Sequence, residues 1–320
     1  WHWDEEFGLE GLRRAVDFAV RHRGSRGGLG ETLLCPHAVD NCSPDLLRAT
    51  RMAARDNGLI IQIHCAQYEF EVARIREHYG RTPVGHLADL GILGPDVILG
   101  HTIYVQGHTA VGGDPDADLA LIAGSGASVA HSPLPFARRG ETLQSFGRYR
   151  AAGVNLAIGC DIWPADIVAE MRLAWFLGKA AGRTPEEPTC QDVFDAATLG
   201  GARALGRDDL GRLAPGATAD IVLVDLSRLH IGPVLDPIRS LITCATGQDV
   251  CAVWVQGRRV VDAGRALHAD EDRLRAGAER VYRSLVAAAR ERDPIGATPE
   301  VMLRLDFRPP LLTSDEPQRR

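Results

Sequence analysis

The stretch "IIQIHCAQYEFEV", residues 60–72, decides the fold. It opens as a continuous apolar, β-branched run, reaches His64, and then turns polar. The run "LIIQIH" reads as a strand buried on both faces, and residues 69–79 as a charged amphipathic helix. The same succession returns in "VILGHTIYV" (97–105) and "ASVAHSPLPF" (127–136), and in "LAIGCDIWPAD" (156–166), where Asp161 takes the place of the histidine. A fifth and earlier instance, "ETLLCPHAV" (31–39), reads as a short buried strand ending at Pro36-His37.

Helical patterns fill the intervals. Residues 9–22 carry Leu9, Leu12, Val16, Ala19 and Val20 on one face. Ser43-Pro44 opens a helix that Asn57-Gly58 closes, by the usual cap, first-turn proline and terminal glycine. Further helices are predicted over 116–126, 142–153, 165–182 and 190–206. Strand–helix alternation with continuous apolar strands predicts an α/β fold, a parallel sheet covered by helices in five strand–helix units. After Gly206 the pattern changes to glycine-rich turns and alternating strands. The expected organisation is therefore 1–205 as the parallel part, 206–268 as a small β domain, and 269–320 as a helix plus tail. Leu274, Val281, Leu285 and Ala289 share one face of that helix, and the tail from Asp293 is proline-rich and polar.

Composition narrows the function classes. Of 320 residues, 45% are hydrophobic and 24% charged, as in a globular protein with room for one large and one smaller domain. The formal net charge of -6, without a long basic run, argues against nucleic acid or an anionic membrane as partner. No stretch approaches the roughly 18 apolar residues that span a bilayer. Seven scattered cysteines, odd in number and without Cys-x-x-Cys, fit a reducing cytoplasm better than a disulfide framework.

In parallel α/β folds, ligands bind beyond the carboxyl ends of the strands. His37, His64, His101, His131 and Asp161 all stand where a predicted strand ends, so they are expected on one rim. One such histidine would mean an ordinary hydrogen-bonded side chain; five in succession point to a site. Imidazole with carboxylate suits zinc or a similar divalent ion, which lowers the pKa of a bound water to about 7. The competing reading is a polar rim without metal.

In these motifs the chain resembles the amidohydrolase superfamily, in the branch of cytosine, guanine and adenosine-derivative deaminases and triazine hydrolases. "PHAVDNCSPDLL" is similar to the segment ending strand four of that branch, "IHCAQYEFEV" to strand five and "ILGHTIYV" to strand six. "VAHSPLPFARRG" resembles strand seven, and "IGCDIWPADIVAEMRLA" strand eight with its helix. "GRLAPGATADIVLVDL" resembles the β domain that follows. The resemblance implies a (β/α)8 TIM-type barrel represented by strands four to eight, with a small β-sandwich domain. It implies hydrolysis of a non-peptide carbon–nitrogen bond in a small cyclic nitrogenous substrate, nucleobase- or triazine-like. His64 and Asp161 would ligate a divalent metal, zinc before iron, and Asp161 would also accept a proton from the attacking water. His101 would hydrogen-bond that hydroxide or the group attacked, and His37 and His131 would contact substrate. A homodimer is the implied assembly.

Two departures qualify this. Gln67 stands where the branch carries a glutamate that shuttles a proton, and an amide cannot carry one through a cycle. Gln67 is read as orienting substrate; Glu71, one turn on, is either the substitute acid or a structural helix residue. No His-x-His occurs in the chain, and strands one to three find no match. The sequence, which starts at Trp1, is therefore expected to be the carboxyl-terminal two-thirds or so of a longer enzyme. The alternatives are a hydrolase releasing halide or alkylamine from a ring, and a fragment or pseudoenzyme that binds without turnover. Tyr68, Tyr104, Phe136 and Trp163 are candidate pocket walls, Arg138 and Arg139 candidate contacts to an anionic or carbonyl group, and Cys65 and Cys160 are read as packing residues.

Overall fold

The computed structural model describes residues 3–292, with side chains through residue 288. The tail from Asp293 and the side chain of Ala289 lie outside the described residues. Contacts divide the chain into two units, residues 1–265 and 266–320.

The first unit is built on four parallel strands, β1 (Ile61–Cys65), β2 (Val97–His101), β3 (Ser128–His131) and β4 (Asn155–Ile158), paired in that order. Ile61, Ile63, Val97, Leu99, Val129 and Leu156 are buried in the main core. Each such side chain contributes about 1.5–3 kcal/mol by leaving water. β1 alternates buried and half-buried residues, so one of its faces is less enclosed than its apolar run predicted. Cys65 pairs with His101 and His131 with Ile158, which brings the carboxyl ends of the strands to one edge.

The expected first strand, 31–39, is a correction: it forms only isolated parallel bridges, Leu34 to Ile61 and Ala38 to His64. The reason is Pro36. Gln62 donates its N–H to Leu34 O at 2.9 Å and His64 donates to His37 O at 3.1 Å. Between them proline has no N–H to return to the neighbouring strand, and the ladder breaks.

Helix Pro44–Asn57 has the predicted ends: Ser43 Oγ accepts from Leu46 N, and Gly58 stops it in the left-handed conformation. Helix Glu69–Tyr79 also falls where its pattern placed it. Helix Pro83–Asp89, capped by Thr82, was not anticipated. The predicted helix over 190–206 is interrupted by a π turn, Ala196–Gly200. Here the chain presses on β4: Asn155 Nδ2 donates to Gly200 O at 3.0 Å, and a Cβ on Gly200 would stand 2.0 Å from Leu156 O.

The change of pattern after Gly206 corresponds to an antiparallel sheet within the first unit, β5 (Ile221–Val224), β6 (Val250–Val255) and β7 (Arg258–Asp262). Val222 and Leu223, which point to opposite faces of β5, are 58% and 52% exposed. In the second unit, helix Glu271–Arg292 leaves Leu274, Val281 and Leu285 exposed. No described helix is long and apolar enough to cross a membrane.

Candidate active site

His64 near the end of β1, His101 at the end of β2 and Asp161 three residues beyond β4 converge. Among the described residues they form one group whose ligand atoms all lie within 4.8 Å of one another. His101 Nε2 is 4.0 Å from Asp161 Oδ2, and the His64 and His101 rings stack at 5.3 Å between centroids. His64 Nδ1 lies against the carbonyl oxygen of His37 at 2.5 Å. That acceptor places the ring hydrogen on Nδ1 and leaves the Nε2 lone pair free for a cation, as in metal sites where a carbonyl orients the ligating imidazole.

The donor set fits a divalent ion. Zinc holds imidazole and carboxylate at about 2.0–2.2 Å in a tetrahedron, so its donors lie about 3.4 Å apart. His64 and Asp161, whose ligand atoms lie within 4.8 Å of each other, reach that spacing by closing at most about 1.4 Å, with His101 beside them. His101 also has a buried Nδ1 without a partner. Burial lowers its pKa to about 4, against the opposing pull of Asp161 and with a further push from His64. It is a neutral imidazole at pH 7.

Backbone strain aims His101. His101 (φ 67°) and Thr102 (φ 51°) are successive left-handed residues, and Ala66 (φ 50°), after β1, is another. Such positions cost about 1–3 kcal/mol each and persist only where neighbours enforce them. Thr102 N donates to Cys65 O at 2.9 Å, while Ile103 N and Tyr104 N both donate to Ala66 O. Tyr149, fully buried, donates its hydroxyl to Thr102 O at 2.6 Å.

Three fully buried carboxylates hold the loops around this edge. Glu71 accepts from Ala66 N at 2.7 Å and Gln67 N at 2.8 Å. Asp118 accepts from the Thr82 hydroxyl at 2.6 Å and Gln106 N at 2.9 Å. Glu170 accepts from Leu134 N at 3.0 Å, its other oxygen lacking a partner. Of the two readings of Glu71, both of its oxygens serve the structural one. Burial nevertheless raises its pKa to about 7, with the Gln67 and Ala66 amides pulling the other way.

His37 is exposed, its ring 5.1 Å from that of His64. Gln67 is half-buried in the loop that Glu71 clamps. His131 stands outside the three-residue group and is only 3% exposed; burial, then the neighbouring His101, lowers its pKa to about 3. Phe136 packs against His101 at 4.6 Å, and Tyr68 lies 5.9 Å from Phe136. The Tyr68 hydroxyl takes a hydrogen bond from Arg139 at 2.6 Å, whose guanidinium lies over both rings. Tyr104 instead meets His108, and Trp163 is 82% exposed. All seven cysteines are free; Cys65 is buried, but Cys160 is exposed, which corrects its reading as packing.

Sequence reading missed Asn41, Tyr149, Asp118 and Glu170. Asn41, in the turn before Ser43-Pro44, carried the signal of a turn-forming side chain that bonds its own backbone. The others carried none, because their partners are far along the chain.

A parallel sheet with an imidazole–carboxylate cluster beyond its carboxyl edge has that cluster where α/β folds place their ligand-binding and catalytic groups. The chain belongs to the amidohydrolase family, whose model matches residues 9–260. It is 29% identical over 289 residues to a 5'-deoxyadenosine deaminase of Methanosarcina mazei, covering 89% of this chain and 65% of that protein. It is 35% identical over 246 residues to a 5-methylthioadenosine/S-adenosylhomocysteine deaminase of Pyrococcus abyssi, covering 76% and 56%. Among solved structures, an adenosine deaminase from Xanthomonas campestris with bound zinc superposes with a TM-score of 0.80 at 29% identity, covering 87% of this chain and 62% of the other. An atrazine chlorohydrolase from Arthrobacter aurescens, complexed with zinc, gives 0.71 at 26%, covering 84% and 60%. The chain thus spans less than two thirds of the length of each of these relatives.

Proposed function

We propose that this chain carries part of the active site of a metal-dependent hydrolase that breaks a carbon–nitrogen bond in a small cyclic substrate, an adenosine derivative or a related nitrogen ring. The observation that supports this most is the convergence of His64, His101 and Asp161 at the carboxyl edge of the parallel sheet. A divalent cation, zinc in two of the similar structures, supplies Lewis-acid activation of water when bound. His64 would offer Nε2 and Asp161 a carboxylate oxygen to it. Asp161 then takes the proton from the attacking water, within reach of the neutral His101, which hydrogen-bonds the ring nitrogen or oxygen gaining charge. His37 and Gln67 face the substrate from the loops after the first bridge and β1, and His131 supports that wall. As water adds to the ring carbon, the bond to the amine breaks and the amine departs with the proton that Asp161 took from the water.

The fold reading extends the same proposal. The four strands and the bridged segment 34–38 correspond to strands four to eight of a (β/α)8 barrel, residues 206–268 to its accompanying β domain, and 269–320 to a terminal helix and tail. Two protein donors leave further positions of a four-coordinate cation to other ligands. A small-molecule substrate, a homodimer and a reducing cytoplasm complete the reading, the last in keeping with seven free cysteines.

Gln67 favours a second reading. An alkylamine needs a proton on leaving and chloride does not, so an amide beside the site suits halide release. The test is a panel of 5'-deoxyadenosine, 5-methylthioadenosine, adenosine and atrazine, assayed with zinc for ammonia, alkylamine and chloride. It is run on this chain and on a version extended to the relatives' length. Ammonia from an adenosine derivative, abolished by Asp161→Asn, is the expected outcome. Chloride alone would select the second reading. Zinc binding without turnover in either protein would overturn both.

A further inference from the structure

The turn from Pro36 to Ser43 does more than present His37. Asn41 Oδ1 accepts the main-chain N–H of Ala38 at 3.1 Å, and the Cys42 thiol also points to it at 3.7 Å. Two donors at one atom identify it as the amide oxygen, since an NH2 group there would face N–H and S–H. The other end, Nδ2, is therefore the atom hydrogen-bonded to His37 Nδ1. An amide nitrogen only donates, so Nδ1 must accept, and the hydrogen of the neutral imidazole must sit on Nε2. His64 is set the other way: the His37 carbonyl at its Nδ1 only accepts, so Nδ1 carries the hydrogen and Nε2 the lone pair. Two rings 5.1 Å apart are thus held in opposite tautomers by one turn.

We propose that Asn41 is a positioning residue that locks His37 as the Nε2–H tautomer, so that His37 offers the substrate a hydrogen-bond donor while His64 alone of the two offers a lone pair to the cation. This rests on the reading of His37 as a substrate contact. It refines the substrate class: opposite His37 the substrate presents a lone pair, on an aza nitrogen or an oxygen, and not an N–H. Two facing donors would both stay unpaired, which is how a polar site rejects an analogue.

The test is long-range 1H–15N spectroscopy of the labelled full chain at pH 8.5, above the ordinary histidine pKa of about 6.5. His37→Gln and His64→Gln supply the assignments. In the wild type His37 appears as Nε2–H and His64 as Nδ1–H. Asn41→Asp keeps an oxygen for Ala38 but turns a second acceptor to His37, so His37 converts to Nδ1–H while His64 is unchanged. Binding of 5'-deoxyadenosine, measured by titration calorimetry with zinc present, then weakens about tenfold, as for one lost hydrogen bond. If Asn41→Asp does not fold, Asn41→Ala serves, with a mixture of tautomers expected. A wild-type His37 in the Nδ1–H form, or a tautomer indifferent to either substitution, overturns the proposal. Failure of every form to bind or turn over substrate would tell against the hydrolase reading, while the spectra still decide the tautomer.

Discussion

Glu71 has no exposed surface, and two backbone amides depend on it. Burial raises its pKa to about 7 from the roughly 4.3 of an unfolded chain. Between those values the folded protein keeps a proton that the unfolded chain has lost. The stability this contributes is full below about pH 4.3 and is lost as pH rises through 7. His131 and His101 act in the opposite sense. Held near 3 and 4 by burial, they contribute stability above about pH 6.5 that is lost as pH falls toward those values. Glu71→Gln turns an NH2 toward a backbone amide and is expected to cost on the order of 1–3 kcal/mol. Its deficit relative to wild type should narrow as pH rises from 5 to 8, because only the wild type carries the carboxyl titration. Urea denaturation at four pH values measures this; a deficit that widens with pH would show that the amide bonds outweigh burial.

The ends of β1 and β2 behave as one element. The left-handed residues Ala66, His101 and Thr102 are tied together by the 65–66 carbonyls and held from outside by Tyr149. Tyr149→Phe leaves the Thr102 carbonyl without its buried partner and should destabilise the chain by about 1–3 kcal/mol. It should also lower turnover more than zinc affinity, because the turn that aims His101 at the reacting group is released. Denaturation together with a turnover assay at saturating zinc tests both; lost stability with unchanged turnover would separate the turn from the site. This tie was not legible in the sequence, since Tyr149 lies 47 residues from its acceptor and reads as an ordinary apolar helix position. Elements whose signal is local fared better. The helix between Ser43 and Gly58 announced both its ends, whereas Pro36 carried a local warning that the buried-strand pattern of 31–39 outweighed.

For the whole molecule, a site assembled from three strands couples metal binding to folding. Only the folded chain gathers His64, His101 and Asp161, so zinc should raise the melting temperature in proportion to ln(1 + [Zn]/Kd), about 2.7 kcal/mol at a hundredfold excess over Kd. Chelator should reverse the shift and His64→Ala should abolish it; a shift that survives in His64→Ala would place the ion elsewhere. By itself the sequence determined the alternation of strand and helix, the parallel sheet and the positions at which polar ligands follow apolar runs, because burial and backbone propensity act over a few neighbouring residues. Only the tertiary structure decided which of five rim residues meet. It grouped His64, His101 and Asp161, kept His131 buried beside them, gave Glu71 to two backbone amides and set His37 against Asn41. Those outcomes depend on strand register, loop strain and hydrogen-bond partners between segments distant along the chain, which local patterns do not encode.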